Sequence, residues 1–166
     1  RLENDAKLAV ISEDTPIGST YDRIRLKISG NGKMWVQSNG HDSPAIIVKN
    51  GSLYVSDGVD LTAVSTNISW GNIGNLDYIP AIGRAAYVSG VIGGKITLSN
   101  CTLKLYAWAK GDKEPQNWVT LENGTVTPDV DGALKSAEWD KEIQLDNSVK
   151  VTKLKERPEL PDWATK

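Results

Sequence analysis

One phrase of this chain occurs twice. Gly51-Ser52-Leu53-Tyr54-Val55-Ser56 returns 43 residues later as Gly94-Lys95-Ile96-Thr97-Leu98-Ser99. Pro44-Ala45-Ile46 precedes the first copy and Pro80-Ala81-Ile82 precedes the second. An apolar-polar-apolar triplet follows each, Leu61-Thr62-Ala63 and Leu103-Lys104-Leu105. Self-similarity of this kind points to a stacked, repetitive β architecture in which each unit buries its apolar face against its neighbours.

The phrases suggest a register. Aligning Met34, Leu53, Ile96 and Val119 puts Val36, Val55, Leu98 and Leu121 in partner positions, with Trp35, Tyr54, Thr97 and Thr120 between them. Successive side chains of a strand point to opposite faces, so the flanking apolar residues go inward and the middle ones outward. The intervals of 19, 43 and 23 residues fit one, two and one turns of a coil of roughly 20 residues. The Asn/Gly-rich segment 66–79 reads as an irregular rung or a protruding loop. Upstream, Ile24, Leu26 and Ile28 alternate with Arg25 and Lys27, the period of a strand with one buried face. Ser29-Gly30-Asn31-Gly32 then supplies a turn.

Residues 1–127 are therefore expected to form rungs, with the insertion near 66–79. Residues 128–166 are expected to form a C-terminal cap and an extended tail. There 133–140 suits a short helix, and Ile143-Gln144-Leu145 and Val149-Lys150-Val151 suit short strands. A cap protects the open edge of a stack. The class is mainly β. A β-sandwich is the alternative, because alternating strands with frequent turns suit it as well; the shared register of four phrases favours the stack.

The run Ile79-Pro80-Ala81-Ile82-Gly83, continued by Gly94-Lys95-Ile96-Thr97-Leu98-Ser99-Asn100-Cys101-Thr102-Leu103, resembles the degenerate right-handed parallel β-helix repeats of bacterial surface and secreted proteins. Residues 43–63 look like a second, partial match, and together the two cover about 43–107. The segment around Trp70 to Tyr78 and Tyr87 in a normally Gly-rich turn depart from that pattern. The resemblance implies a single-stranded right-handed parallel β-helix, secreted or at the cell surface. Its expected work is adhesion or glycan binding without catalysis. A structural spacer in a larger surface or fibre protein is the alternative, and a polysaccharide lyase or hydrolase the least favoured.

Composition narrows the partners. The 166 residues suffice for one core, and 19 basic against 21 acidic residues leave a formal charge of −2. No basic stripe stands out along the sequence, so nucleic acid and anionic membrane are poor first choices. No stretch approaches the roughly 18 apolar residues of a membrane span. The start at Arg1-Leu2-Glu3-Asn4 reads as that of a fragment, and it contains no signal peptide. One cysteine, Cys101, excludes an intramolecular disulfide.

Catalysis on a β-helix needs clustered carboxylates and a nearby base. Glu13-Asp14 and Asp57 with Asp60 are the closest pairs, and the second reads as a turn. Polygalacturonase-like Asp-Asp and Gly-His-Gly signatures are absent. His41 and Cys101 stand 60 residues apart and make neither a zinc site nor a nucleophile pair. Asp129-Val130-Asp131-Gly132 hints at calcium-loop spacing without the remaining ligands. Gly93-Gly94 lacks the strand-to-helix context of a phosphate loop. Asn-x-Ser/Thr sequons stand at Asn50, Asn67, Asn100 and Asn123, and three of them suit turns. No metal or cofactor is expected.

The middle positions carry the functional expectation. In the proposed register Trp35 and Tyr54 are neighbours on one solvent face, about 4.8 Å apart along the stack. With Trp70 and Tyr78 nearby they would form a platform for sugar rings, because exposed apolar surface marks an interaction site. The competing reading is that the insertion folds over this face and buries the aromatics.

Overall fold

Leu53 and Ile96, the leading apolar residues of the two copies, pair directly across neighbouring parallel strands, with Tyr54 opposite Thr97 and Val55 opposite Leu98. The computed structural model describes residues 1–14, 16–18, 25–40, 43–47, 52–66, 78–79, 81–83, 95–109, 111–112, 119–120, 125–128 and 148–165. Among these the chain forms β1 (Lys7–Ser12), β2 (Arg25–Ser29), β3 (Lys33–Ser38), β4 (Ile46–Ile47), β5 (Ser52–Ser56), β6 (Asp60–Ser65) and β7 (Tyr78–Ile79). Then come β8 (Ile82–Gly83), β9 (Lys95–Leu98), β10 (Cys101–Tyr106), β11 (Trp108–Ala109), β12 (Val119–Thr120), β13 (Thr125–Pro128) and β14 (Val149–Lys153). The one helical element among the described residues is a 3-10 turn, Asp162–Ala164.

The strands visit three parallel sheets in a fixed order. A four-stranded sheet has the order β13-β9-β5-β2, a five-stranded sheet β1-β3-β6-β10-β14, and a three-stranded sheet β12-β8-β4. β2, β3 and β4 cross the three in turn, as do β5, β6 and β8, and then β9, β10 and β12. β13 and β14 repeat the first two steps. β7 and β11 pair antiparallel beside this cycle. The fold is thus mainly β with parallel sheets, an arrangement that does not suit the antiparallel sheets of a sandwich.

The register differs from the one the triplets suggest. Leu53 pairs with Leu26 on one side and Ile96 on the other, so the 43 residues between the copies separate adjacent strands, not strands two turns apart. Met34 pairs with Leu61 in the five-stranded sheet, and Val119 pairs with Ile82 in the three-stranded one. The reason is geometric. Strands of all three sheets turn one face to the core, so an apolar-polar-apolar triplet marks a strand without saying to which sheet it belongs.

The inward column of the four-stranded sheet includes Ile28, Leu53, Val55, Ile96 and Leu98; that of the five-stranded sheet includes Met34, Val36, Leu61, Ala63, Leu103 and Leu105. Together with Ala45, Ile46, Ala81 and Ile82 of the third side they form one buried cluster. Burying each large aliphatic side chain contributes about 1.5–3 kcal/mol. Toward β1 the cluster thins, and Leu8, opposite Met34, is 43% exposed.

The four- and five-stranded sheets meet at tight turns that stack on one another. Asp57 and Gly58 turn with φ of 65° and 95°, and Asn100 with φ of 43°. Gly58 N–H donates to Asn100 O at 2.6 Å, Asp60 N–H to Gly32 O at 3.0 Å, and Thr102 N–H to Val59 O at 2.9 Å. The turns therefore satisfy each other's backbone groups as the strands do. At the next corner Ser38 and Ser65 are paired and fully buried. The Ser65 hydroxyl accepts the Ala45 N–H at 3.0 Å, which closes the chain into β4.

Val149-Lys150-Val151, expected in a cap, belongs to β14 and extends the five-stranded sheet in parallel beyond β10. The expected helix at 133–140 and the strand at 143–145 lie outside the described residues. So does most of the insertion near 66–79.

Candidate binding face

Trp35 sits on β3 between Ala9 and Thr62, and Tyr54 sits on β5 between Lys27 and Thr97. The two aromatics lie in different sheets, so the expected Trp35–Tyr54 column does not form. Trp35 is also only 5% exposed. Its indole Nε1–H donates to Gln37 Oε1 at 3.1 Å, and Gln37 Nε2 donates to Asn39 Oδ1 at 2.7 Å. Thr66 Oγ1 donates to Ser38 O at 2.8 Å and lies 3.2 Å from Asn39 Oδ1. An indole held this way has no free polar edge for a ligand.

Trp35 is buried although it alternates with the inward Met34 and Val36. Gln37, Thr62 and Val64, which share its side of the five-stranded sheet, are buried too. The segment 154–165 runs between the two edges of this sheet. It leaves β14 with Leu154 N–H bonded to Leu105 O at 2.8 Å, and its 3-10 turn lies against β1 at the opposite edge. The interior is filled by the core, so this segment passes outside the sheets. Leu154, Pro158, Leu160, Pro161 and Trp163 are half-buried, and Lys155, Glu156, Arg157 and Glu159 are exposed. That alternation suits an extended strap with one side down.

Tyr54 has a different setting. It is half-buried on the outer face of the four-stranded sheet, with Lys27 Nζ 5.3 Å from its ring centroid. Arg25 and Lys27 on β2 are exposed, and Ser52, Tyr54 and Thr97 beside them are half-buried. Two columns result across the strands, one running Lys27, Tyr54, Thr97 and the other Arg25, Ser52, Lys95. The alternation in Arg23-Ile24-Arg25-Leu26-Lys27 marks the two cations on β2 as a solvated strand face, but sequence alone does not bring Lys95 to the same sheet. Tyr78 lies on β7 opposite Ala109. Trp70 lies outside the described residues.

The remaining sequence candidates fall to structural roles or beyond view. Asp60 pairs with Lys104 at 3.0 Å, Asp57 occupies a left-handed turn position, and Asp14 accepts the Ser43 hydroxyl at 3.2 Å. Cys101 is a buried thiol in the core cluster. Among the described residues no group of three or more His, Cys, Asp or Glu is placed to hold a metal ion. His41, the 129–132 loop and three sequon asparagines lie outside them; Asn100 is exposed in its turn. Among the described residues no helix is long and apolar enough to cross a membrane.

Comparison of the chain with protein-family models, with curated proteins and with solved structures found no match.

Proposed function

We propose that this chain is a section of a right-handed parallel β-solenoid acting at the cell surface or in secreted form as a non-catalytic module that binds glycans. The cyclic passage through three parallel sheets supports the solenoid, because each pass adds one strand to every sheet. The single observation that carries the binding role is the pairing of Lys27 with Tyr54, which sets a half-buried aromatic ring beside a cation on the outer face of the four-stranded sheet. Rings of this kind bind sugars by contact with their apolar C–H faces while neighbouring polar groups orient the hydroxyls.

A spacer role is the second reading, and the burial of Trp35 favours it, since a face closed by its own chain offers nothing to a partner. Titration of the protein with a panel of soluble polysaccharides by calorimetry separates the two. Binding that weakens in Tyr54→Ala but persists in Trp35→Phe supports the module. No heat with any polysaccharide leaves the spacer.

A further inference from the structure

We infer that the outer edge of β2 accepts one more parallel strand, a short one that runs directly into Arg1. The inference comes from strand pairing and is independent of the glycan reading.

Order is the first argument. The chain passes from β2 through Gly30 into β3 and then into β4. Residues 2–17 repeat the later part of that path one strand further out. Leu2 bridges Gly30, β1 pairs with β3, and Ile17 bridges Ile46, all in parallel. The place on this outer pass that corresponds to β2 lies beside β2 itself, which is the last strand of its sheet among the described residues. A strand in that place would enter Leu2 through Arg1.

The backbone supplies the second argument. Leu2 N–H donates to Ser29 O at 2.8 Å. In a strand the N–H and C=O of one residue point to one side and those of the next residue to the other. The Ser29 bond therefore puts the N–H and C=O of Lys27 and Arg25 on the same outer edge, in line with it. Continued in parallel register, the first residue ahead of Arg1 lies opposite Ile28 and the third opposite Leu26. The first would accept from Ser29 N–H and donate to Lys27 O. The third would accept from Lys27 N–H and donate to Arg25 O. The bond from Leu2 is thus the first step of a ladder that fits the rest of β2.

Side chains define the chemistry of the incoming strand. Ile28, nearest the Leu2 bridge, is 6% exposed, whereas Leu26 is half-buried. One strand further in, their partners Val55 and Leu53 are fully buried. Apolar residues at the first and third positions would extend this inward column over Leu26. The second and fourth positions would lie opposite Lys27 and Arg25, whose side chains are exposed, and opposite charges across strands are favourable. The strand is therefore apolar and acidic in alternation. The same cations disfavour a second copy docking edge to edge, because antiparallel pairing of two β2 strands sets Arg25 and Lys27 against each other.

The test adds four residues to the intact chain. Glu-Val-Glu-Val ahead of Arg1 puts the valines opposite Leu26 and Ile28. Val-Glu-Val-Glu has the same composition in a register slipped by one, with the glutamates turned inward. Amide exchange at Lys27 should slow about tenfold in the first extended chain, and its urea midpoint should rise. The second extended chain should match the original in both. Equal exchange at Lys27 in the two extended chains overturns the inference. Slow exchange at Lys27 in the original chain at every protein concentration also overturns it, and means that other residues of the chain close this edge. Exchange that slows with concentration, together with a dimer in sedimentation, overturns it in favour of a second copy.

Discussion

Lys27 and Tyr54 stand opposite each other on adjacent parallel strands, with the ammonium 5.3 Å from the centroid of the ring. Parallel in-register strands make such cross-strand pairs recur, so one outward position becomes a column. The pair is stabilising on its own account and also fixes where the Tyr54 ring lies. An ammonium over an exposed ring contributes about 0.5–1 kcal/mol. A double-mutant cycle with Lys27→Met and Tyr54→Leu, read by urea denaturation, should return a coupling in that range. A coupling indistinguishable from zero means the contact is geometric only.

The indole of Trp35 makes a second, independent prediction. Its N–H donates to Gln37 Oε1 in a buried setting, and Gln37 passes a hydrogen bond on to Asn39. Gln37→Leu keeps the bulk and leaves the indole N–H unpaired, at a cost of about 1–3 kcal/mol. Gln37→Glu keeps an acceptor for the indole and loses the donor to Asn39. Both should lower the urea midpoint. An unchanged midpoint in Gln37→Leu would show that water or another group replaces the bond.

Shortening the chain tests the strap. Removal of 155–166 should expose the outer side of the five-stranded sheet and shift part of the tryptophan emission to the red. The part that moves should be missing when the deletion is made in Trp35→Phe. If the deletion leaves the Trp35 contribution unchanged, the strap is not what covers this indole.

The degree to which this fold is legible in the sequence follows from the same geometry. Leu53 and Ile96 are recognisable as equivalent because phrase, preceding Pro-Ala-Ile and following triplet all recur in order. Three signals in series identify one position of the cycle. Met34 carries only the triplet, and that pattern is common to all three sheets, so its true partner Leu61 is hidden. Burial of Trp35 is legible as the alternative to exposure, but its cause is not. The sequence offers the nearby insertion as the cover, whereas the tail that runs from β14 to β1 lies more than a hundred residues later. Arg25 and Lys27 are legible as a strand face, but that this strand lies beside Ser52 and Tyr54 appears only in the pairing of β2 with β5.

Core positions should separate clearly from the thinning end of the stack. Leu53→Ala and Leu103→Ala remove side chains that are almost fully buried in the cluster and should each cost about 2–5 kcal/mol. Leu8→Ala occupies an equivalent inward column beside Met34, but Leu8 is 43% exposed. Its cost should be clearly smaller, about 1 kcal/mol. Urea midpoints measured for the three variants check the order. A Leu8→Ala loss as large as that of Leu53→Ala would mean that another chain covers β1 in solution.

Two turn glycines offer the sharpest contrast, because they share a backbone conformation and differ in surroundings. Gly30 has φ of 110° and Gly58 has φ of 95°, both in the region that L residues with a side chain rarely adopt. A Cβ on Gly58 meets nothing closer than 3.9 Å. Gly58→Ala should therefore show the backbone strain alone, about 1–2 kcal/mol. At Gly30 the same atom would lie 1.8 Å from the carbonyl oxygen of Leu2, which is backbone and cannot swing aside. Leu2 is held there by a parallel bridge to Gly30 and by its N–H bond to Ser29 O at 2.8 Å. Gly30→Ala must add the loss of that bridge to the strain, so it should be the more destabilising of the two. The extra loss has a local signature. Amide exchange at Leu2 should accelerate in Gly30→Ala and remain slow in Gly58→Ala, whereas equal exchange in both would mean that the first strand is not anchored through Leu2.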